Sequence, residues 1–512
     1  MSGLAYGLSP NEPIAEFALE EEVKVKPSAW RAYWTRMLRV CGWRFLVFLF
    51  FSQLVTKGIL MTVVHSSMLP LFRNQVDSST LQIYIMIAML PWSLKPLIGL
   101  ASDYVLLAGY RKRGWLVVAQ VVGMTSATVA AFLAGSPNIL LVCCFTGLQF
   151  QIALFDLLSE AKYSELRNAN PSIGSDITTL VQGMHDMGAL GALLFVGFMA
   201  DSGSFRVLFL VALGLSASPL LPTLLGWLPE RREGSRCMAL VSLPEGSSWR
   251  DELPFIAVVA FCGLSSLAVV ALEETPLIGL IVSFVLLTCC LLGSWRVFPP
   301  LLTQVALFQV LTTVAQPSMG TALGYFYTAN STCLPGGPNF SYSYFIGYTG
   351  IVGRIISLVG VLVYQLALSR LRFRPVLLIT TILVALAGLS DLSMVLRLNV
   401  KLGIPDHVAY MVGEAIMEPL LGKISWIPVV ALISMAVAPG REACSFAFMA
   451  GIGNFAGMQA KLSGAVIAQS AALGSCDFSA LWWMVLLCHV LFPLCIGVPA
   501  VWIVPNAEQR GE

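Results

Sequence analysis

Fourteen stretches of mostly apolar residues, each near or above the length that crosses a bilayer, dominate this chain of 512 residues. A helix rises about 1.5 Å per residue and a hydrocarbon core is roughly 30 Å thick, so about 20 apolar residues suffice. The spans fall approximately at 45–70, 81–101, 114–135, 138–160, 175–200, 207–227, 253–272, 276–294, 300–328, 343–369, 375–396, 407–438, 442–468 and 478–504. Little remains for a water-soluble domain, so an all-α polytopic membrane protein is expected. The charge content agrees: 11% of residues are charged, against about 25% in a typical soluble domain. A net charge of +2 gives no basis for nucleic acid as a partner. Residues 1–42 lack a secretory leader, being acidic at Glu20-Glu21-Glu22 and then basic, and read as a short cytosolic tail.

Orientation follows from the placement of Lys and Arg, which accumulate on the cytosolic side. With the N-terminus inside, 21 of the 30 basic residues fall in inner segments and four in outer ones (Arg73, Arg206, Arg397 and Lys401). The other five, Lys57, Lys95, Arg354, Lys423 and Lys461, lie within spans. Both termini are therefore expected in the cytosol. The loop at 329–342 then lies outside, and it carries two acceptor sequons, at Asn330 and Asn339. Most of the 12 cysteines are intramembrane and read as small apolar residues. Cys333 and Cys476 fall in outer loops, where they either pair or remain separate thiols.

The spans group as six, two and six. The expected units are a tail at 1–42, a six-helix bundle at 43–228, a cytosolic linker at 229–252 and an extra transmembrane hairpin at 253–295. A second six-helix bundle at 296–505 and a cytosolic tail at 506–512 complete the chain. Paired six-helix halves around a midplane site are the plan of the major facilitator fold, here with about 14 helices because of the hairpin. The hairpin has no ionisable residue before Glu273 and Glu274, so a peripheral position is expected for it.

Function is to be sought in the charges within the spans. An ionisable side chain at the centre of a membrane helix costs roughly 2.5–3.5 kcal/mol on insertion scales and needs a partner or a watery cavity. Lys57 lies about 13 residues into the first span and Arg354 about eleven into the tenth, both too deep to reach an interface easily. Glu414 and Glu418, four residues apart in the twelfth span, share one helix face, from which Lys423 turns partly away. Asp156 and Glu160 close the fourth span, Asp186 follows His185 in the fifth, and Asp391 lies towards the outer end of the eleventh. For Lys95, Lys423 and Lys461, snorkelling to an interface remains open beside a cavity role. The aromatic cluster Trp43, Phe45, Phe48, Phe50 and Phe51 reads as packing or lipid-facing.

Gly99-Leu100-Ala101-Ser102-Asp103, followed by Gly109-Tyr110-Arg111-Lys112-Arg113, resembles the helix 2–3 motif of the major facilitator superfamily, with a longer interval between Asp103 and Gly109. Joined to Trp92-Ser93-Leu94-Lys95-Pro96, it is similar to the hallmark of the folate–biopterin transporter family. Asp156-Leu157-Leu158-Ser159-Glu160-Ala161-Lys162-Tyr163 is a second match, and Gly413-Glu414-Ala415-Ile416-Met417-Glu418-Pro419 with Trp426 and Pro428 a third. Asn454-Phe455 with Gly457 is a fainter fourth. The resemblance covers roughly residues 44–500 and is closest to the protist branch, from which the compact linker and tail depart. It implies a secondary transporter of folate or pterins working by alternating access, with protons as the coupling ion, in the plasma membrane and as a monomer. Neither a cofactor, a metal nor a catalytic role is expected.

The residues suit such a cargo. A folate carries a glutamate tail with two carboxylates, which call for Lys57, Arg354 and Lys95, the guanidinium binding bidentately. Its pterin edge calls for an acid such as Glu414, Glu418 or Asp156. Asp103, Arg111, Arg113, Asp156, Glu160 and Asp391 are candidates for gating or proton coupling. An S-adenosylmethionine transporter stays open, because a sulfonium would call for an acid-lined rather than a lysine-lined cavity. A receptor or membrane enzyme is weaker, since neither a Walker motif nor a metal-ligand cluster is present among the four histidines.

Overall fold

The computed structural model describes residues 29–134, 139–170, 174–230, 232, 240–241, 249–436, 442–471, 473–474 and 476–505. Most of the expected N-terminal tail, much of the linker and the segment 506–512 lie outside the described residues. Among the described residues, eleven helices are long and apolar enough to cross a membrane. We label the helical segments α1 (29–72), α2 (78–104), α3 (Arg113–Leu133), α4 (Ile139–Ala169), α5 (Gly174–Asp201), α6 (Phe205–Leu224) and α7 (Trp249–Val270). They continue as α8 (Pro276–Val297), α9 (300–327), α10 (Ser343–Leu368), α11 (Phe373–Val395), α12 (406–436), α13 (Glu442–Ser470) and α14 (Leu481–Ile503).

Three sequence spans fall outside those eleven. Segment α2 is broken into Ser78–Ala88, Leu90–Ser93 and Lys95–Tyr104, each break just ahead of a proline, Pro91 or Pro96. A proline ring removes an N–H donor and crowds the carbonyl one turn back. Segment α9 is likewise split into Pro300–Val314 and Gly320–Tyr327, with Pro317 in the gap. Helix α13 runs unbroken for 29 residues. A separate helical stretch begins at Ala29 and ends at Gly42, whose φ of 71° breaks it from the first membrane helix.

Within the N-terminal group, α1 packs along α5, and α3 lies against α4 and α6. The α1–α5 crossing depends on two glycines. A Cβ built on either Gly58 or Gly188 would sit 2.8 Å from the Cα of the other, so only the absence of side chains lets these backbones meet. Phe45 and Phe48 are buried and stack on each other, and Phe48 stacks in turn with Phe155 of α4, while Trp43 and Phe50 face outwards. In the C-terminal group α10 packs on α12, where a Cβ on Gly353 would lie 3.1 Å from Pro419 Cγ.

The two groups meet along α2 against α13 and along α5 against α10. In the first seam Asn454 Nδ2 donates to the Trp92 carbonyl at 3.0 Å. At the end assigned outside by the basic residues, the Asp201 carboxylate accepts from the backbone N–H groups of Tyr342 (2.6 Å) and Ser343 (2.8 Å). A carboxylate from one group thus caps α10 of the other, where the helix leaves N–H donors unpaired. Beside it, Arg73 donates to the Tyr325 carbonyl at 3.1 Å and lies over the Tyr325 ring.

Helices α7 and α8 form a pair that rests on α2 and α13. Val270 is half-buried and Phe284 is exposed. At the end assigned inside by the basic residues, Val105–Leu106 pairs antiparallel with Leu240–Val241, fastening that segment to the α2–α3 loop. The Glu230 carboxylate accepts from the N–H groups of Lys112 (2.7 Å) and Arg113 (3.0 Å), capping α3.

Candidate functional site

The charged residues within the bilayer fall into three clusters. In the N-terminal group, Asp156 of α4 receives two lysines, Lys57 Nζ at 2.7 Å and Lys95 Nζ at 2.6 Å. Glu160 lies one turn further along α4, within the field of both ammonium groups. Both ammonium groups thus find a carboxylate partner, as a low-dielectric interior requires. Lys95 is also held over the Trp92 ring, 4.2 Å from its centroid, and Trp92 Nε1 donates to Gln149 at 3.0 Å.

A second cluster lies between the groups. Asp186 of α5 accepts from Gln182 Nε2 at 3.1 Å and stands 3.5 Å from the Arg354 guanidinium of α10. The charges of Arg354 and Lys461 both act on the His65 ring of α1.

The third cluster borders a cavity of about 630 Å³ lined by residues of α9 to α14 and of the connection inside α9. Its acid side holds Asp391, Glu414 and Glu418, with His489 beside them. Asp391 Oδ1 accepts from the Tyr327 hydroxyl at 3.0 Å, and Oδ2 lies 3.0 Å from His489 Nδ1. The Glu414 carboxyl borders the same space as Asp391, so two acids lie close together on this wall. Tyr327 and Tyr410 form an edge-to-face aromatic wall, 4.7 Å between centroids, and Phe345 and Trp426 also line the cavity. Lys461 of α13 projects into the same space.

Lys57, Lys95, Asp156 and Glu160 lie apart from this cavity, and Arg354 stands at the seam instead of on its wall. In the cytosolic motif the Arg111 guanidinium donates to the Asp103 backbone carbonyl, and Arg113 to that of Leu224, both bonds staying within the N-terminal group. Burial pushes the Asp103 carboxyl up, against the pull of Lys112 and Arg111. Both sequon asparagines are exposed, and Asn330 Oδ1 accepts from the Thr332 hydroxyl (2.7 Å) and the Cys333 N–H (2.9 Å). Cys333 and Cys476 form a disulfide joining the α9–α10 and α13–α14 loops.

Residues 56–511 match the BT1 family, nearly the whole described chain. The chain belongs to the BT1 family. Among relatives, it is 27% identical to the probable folate-biopterin transporter 6 of Arabidopsis thaliana, over 86% of this chain and 78% of that one. It is 24% identical to the folate-biopterin transporter of Synechocystis, over 82% and 73%. Among solved structures, an autoinhibited peptide transporter of the POT family aligns over 90% of this chain and 96% of that one, with TM-score 0.64 and 12% identity. Likeness at that identity establishes the fold, which is that of the major facilitator transporters, and this BT1 protein is a multi-pass membrane transporter by family.

Several residues bordering the BT1 cavity were not singled out by the sequence. Tyr410 had a usable signal, because it precedes Glu414 by four residues and so shares its helix face. Tyr327 and His489 had none. They reach Asp391 from separate helices, and only the packing brings the three together.

Proposed function

We propose that this protein is a secondary transporter of folates or pterins that works by alternating access and is driven by protons. The observation that carries this reading is the cavity in the C-terminal group, where an aromatic wall stands beside the acids Asp391, Glu414 and Glu418. A flat heterocycle with N–H donors along its edge suits both surfaces. The names of the relatives favour the same cargo. In this reading Glu414 and Glu418 meet the cargo, and the Asp391–Glu414 pair takes up and releases the coupling proton. Arg354, with Lys57 and Lys95 behind it, forms the charged seam across which the groups move. The protein acts as a monomer at the plasma membrane.

The acid lining also favours a second cargo, S-adenosylmethionine, whose sulfonium is a cation. Uptake of radiolabelled folate, biopterin and S-adenosylmethionine by one expressing cell line, each competed by the other two, separates these readings. Folate or biopterin should accumulate above the empty-vector level, and a protonophore should abolish the accumulation. Exclusive uptake of S-adenosylmethionine would replace the folate–pterin reading. A Glu414→Gln variant present at the surface should lose the stimulation by external acid; retention of it would remove the carboxyl pair from the coupling step.

A further inference from the structure

We infer that Lys461 is an anion-binding subsite of the C-terminal cavity, the group that selects a carboxylate-bearing cargo over an uncharged one. The inference rests on the folate–pterin reading and adds to it the part of the cargo that the acid side cannot hold. Helix α13 carries Lys461 one turn beyond Gly457, and both border the cavity. Of the other four cations within the spans, three have carboxylate partners: Lys57 and Lys95 share Asp156, and Arg354 faces Asp186. Among the described residues Lys461 has no carboxylate within ion-pair distance, and Asp391 of the same cavity is engaged with Tyr327 and His489.

An ammonium group in a membrane interior without a counter-ion is costly. Here its side chain keeps access to the cavity, so water or an anionic ligand can supply the missing partner. The cavity is consequently two-sided. Carboxyl groups on α11 and α12 and the His489 ring of α14 form one side; a lone ammonium on α13 forms part of the other. A ligand with a donor-rich heterocycle at one end and a carboxylate at the other complements both sides, and a glutamate-tailed pterin is such a molecule. A pterin without a tail leaves Lys461 unmatched.

The test compares Lys461→Gln, Lys461→Arg and the unaltered protein, each scored for surface expression. Lys461→Gln should raise the KM for folate about tenfold or more, the loss of one charge-assisted hydrogen bond, and leave biopterin uptake unchanged. Lys461→Arg should retain most folate uptake. Equal losses for both compounds, or no loss for either, would overturn the subsite. A second measurement guards against failure of Lys461→Gln to reach the membrane. In purified protein, benzoylglutamate, which has the tail without the pterin, should raise the melting temperature of the unaltered chain and of Lys461→Arg. It should leave a Lys461→Met preparation unshifted. Should the unaltered protein take up neither folate nor biopterin yet show this lysine-dependent shift, the cargo reading falls and the subsite stands. No shift in the unaltered protein overturns the subsite itself.

Discussion

At the scale of single residues, Asp77 shows how one side chain starts a helix. Its carboxylate accepts from the N–H groups of Ser79 (3.1 Å) and Thr80 (3.3 Å) and from both hydroxyls, closing the first turn of α2. Burial would push this acid up, but those hydrogen bonds outweigh it and hold the carboxyl below the usual range. With the folded value depressed, the stabilisation is complete above the ordinary carboxylate pKa and disappears as pH falls through the folded one. Asp77→Ala should cost about 1 kcal/mol, as loss of an N-cap does, with Asp77→Asn milder; thermal unfolding in detergent at neutral pH measures both. Asp156 is a harsher case. Asp156→Asn leaves Lys57 and Lys95 buried without their shared acid, and breaking a buried pair in this way costs roughly 3–5 kcal/mol. Little protein should reach the membrane, and Lys57→Met added to Asp156→Asn should restore part of it, as read by surface labelling. A double variant no better than the single one would mean that Lys57 is not the strained partner.

Helices were the most legible part of this chain, because a bilayer imposes length and apolarity together. The prolines in Leu90-Pro91 and Lys95-Pro96 mark where α2 breaks, yet a spacing rule alone could not tell a break from a kink. Glu414 and Glu418, one turn apart, both border the cavity, whereas Lys423 is absent from its lining, as the face argument implies. Depth was a poorer guide. Lys57 and Arg354 meet acids from neighbouring helices, a partnership that depends on which faces meet. The glycine pair of α1 and α5 was equally hidden, since any of the 43 glycines might have sat at a crossing. Gly188→Leu should drive those helices apart and abolish folded protein on size-exclusion chromatography, while Gly183→Leu, where a Cβ meets nothing within 4 Å, should be tolerated.

For the whole molecule, the basic residues predict sidedness and the disulfide is in accord with it, because Cys333 and Cys476 require an oxidising compartment to pair. A cysteine at Gly337, in a background lacking both Cys333 and Cys476, should be labelled by an impermeant maleimide on intact cells. Labelling only after permeabilisation would invert the topology. The larger consequence comes from the cavity, whose described walls all come from α9 to α14. One half of the molecule lines the pocket, and in the alternating access proposed above the other is the surface against which it would move. Such a division frees the two halves to diverge at different rates, so that a lineage can acquire a new nutrient by altering its second half alone. A chimaera joining α1–α6 of this chain to the corresponding second half of a relative should inherit the cargo preference of the second-half donor.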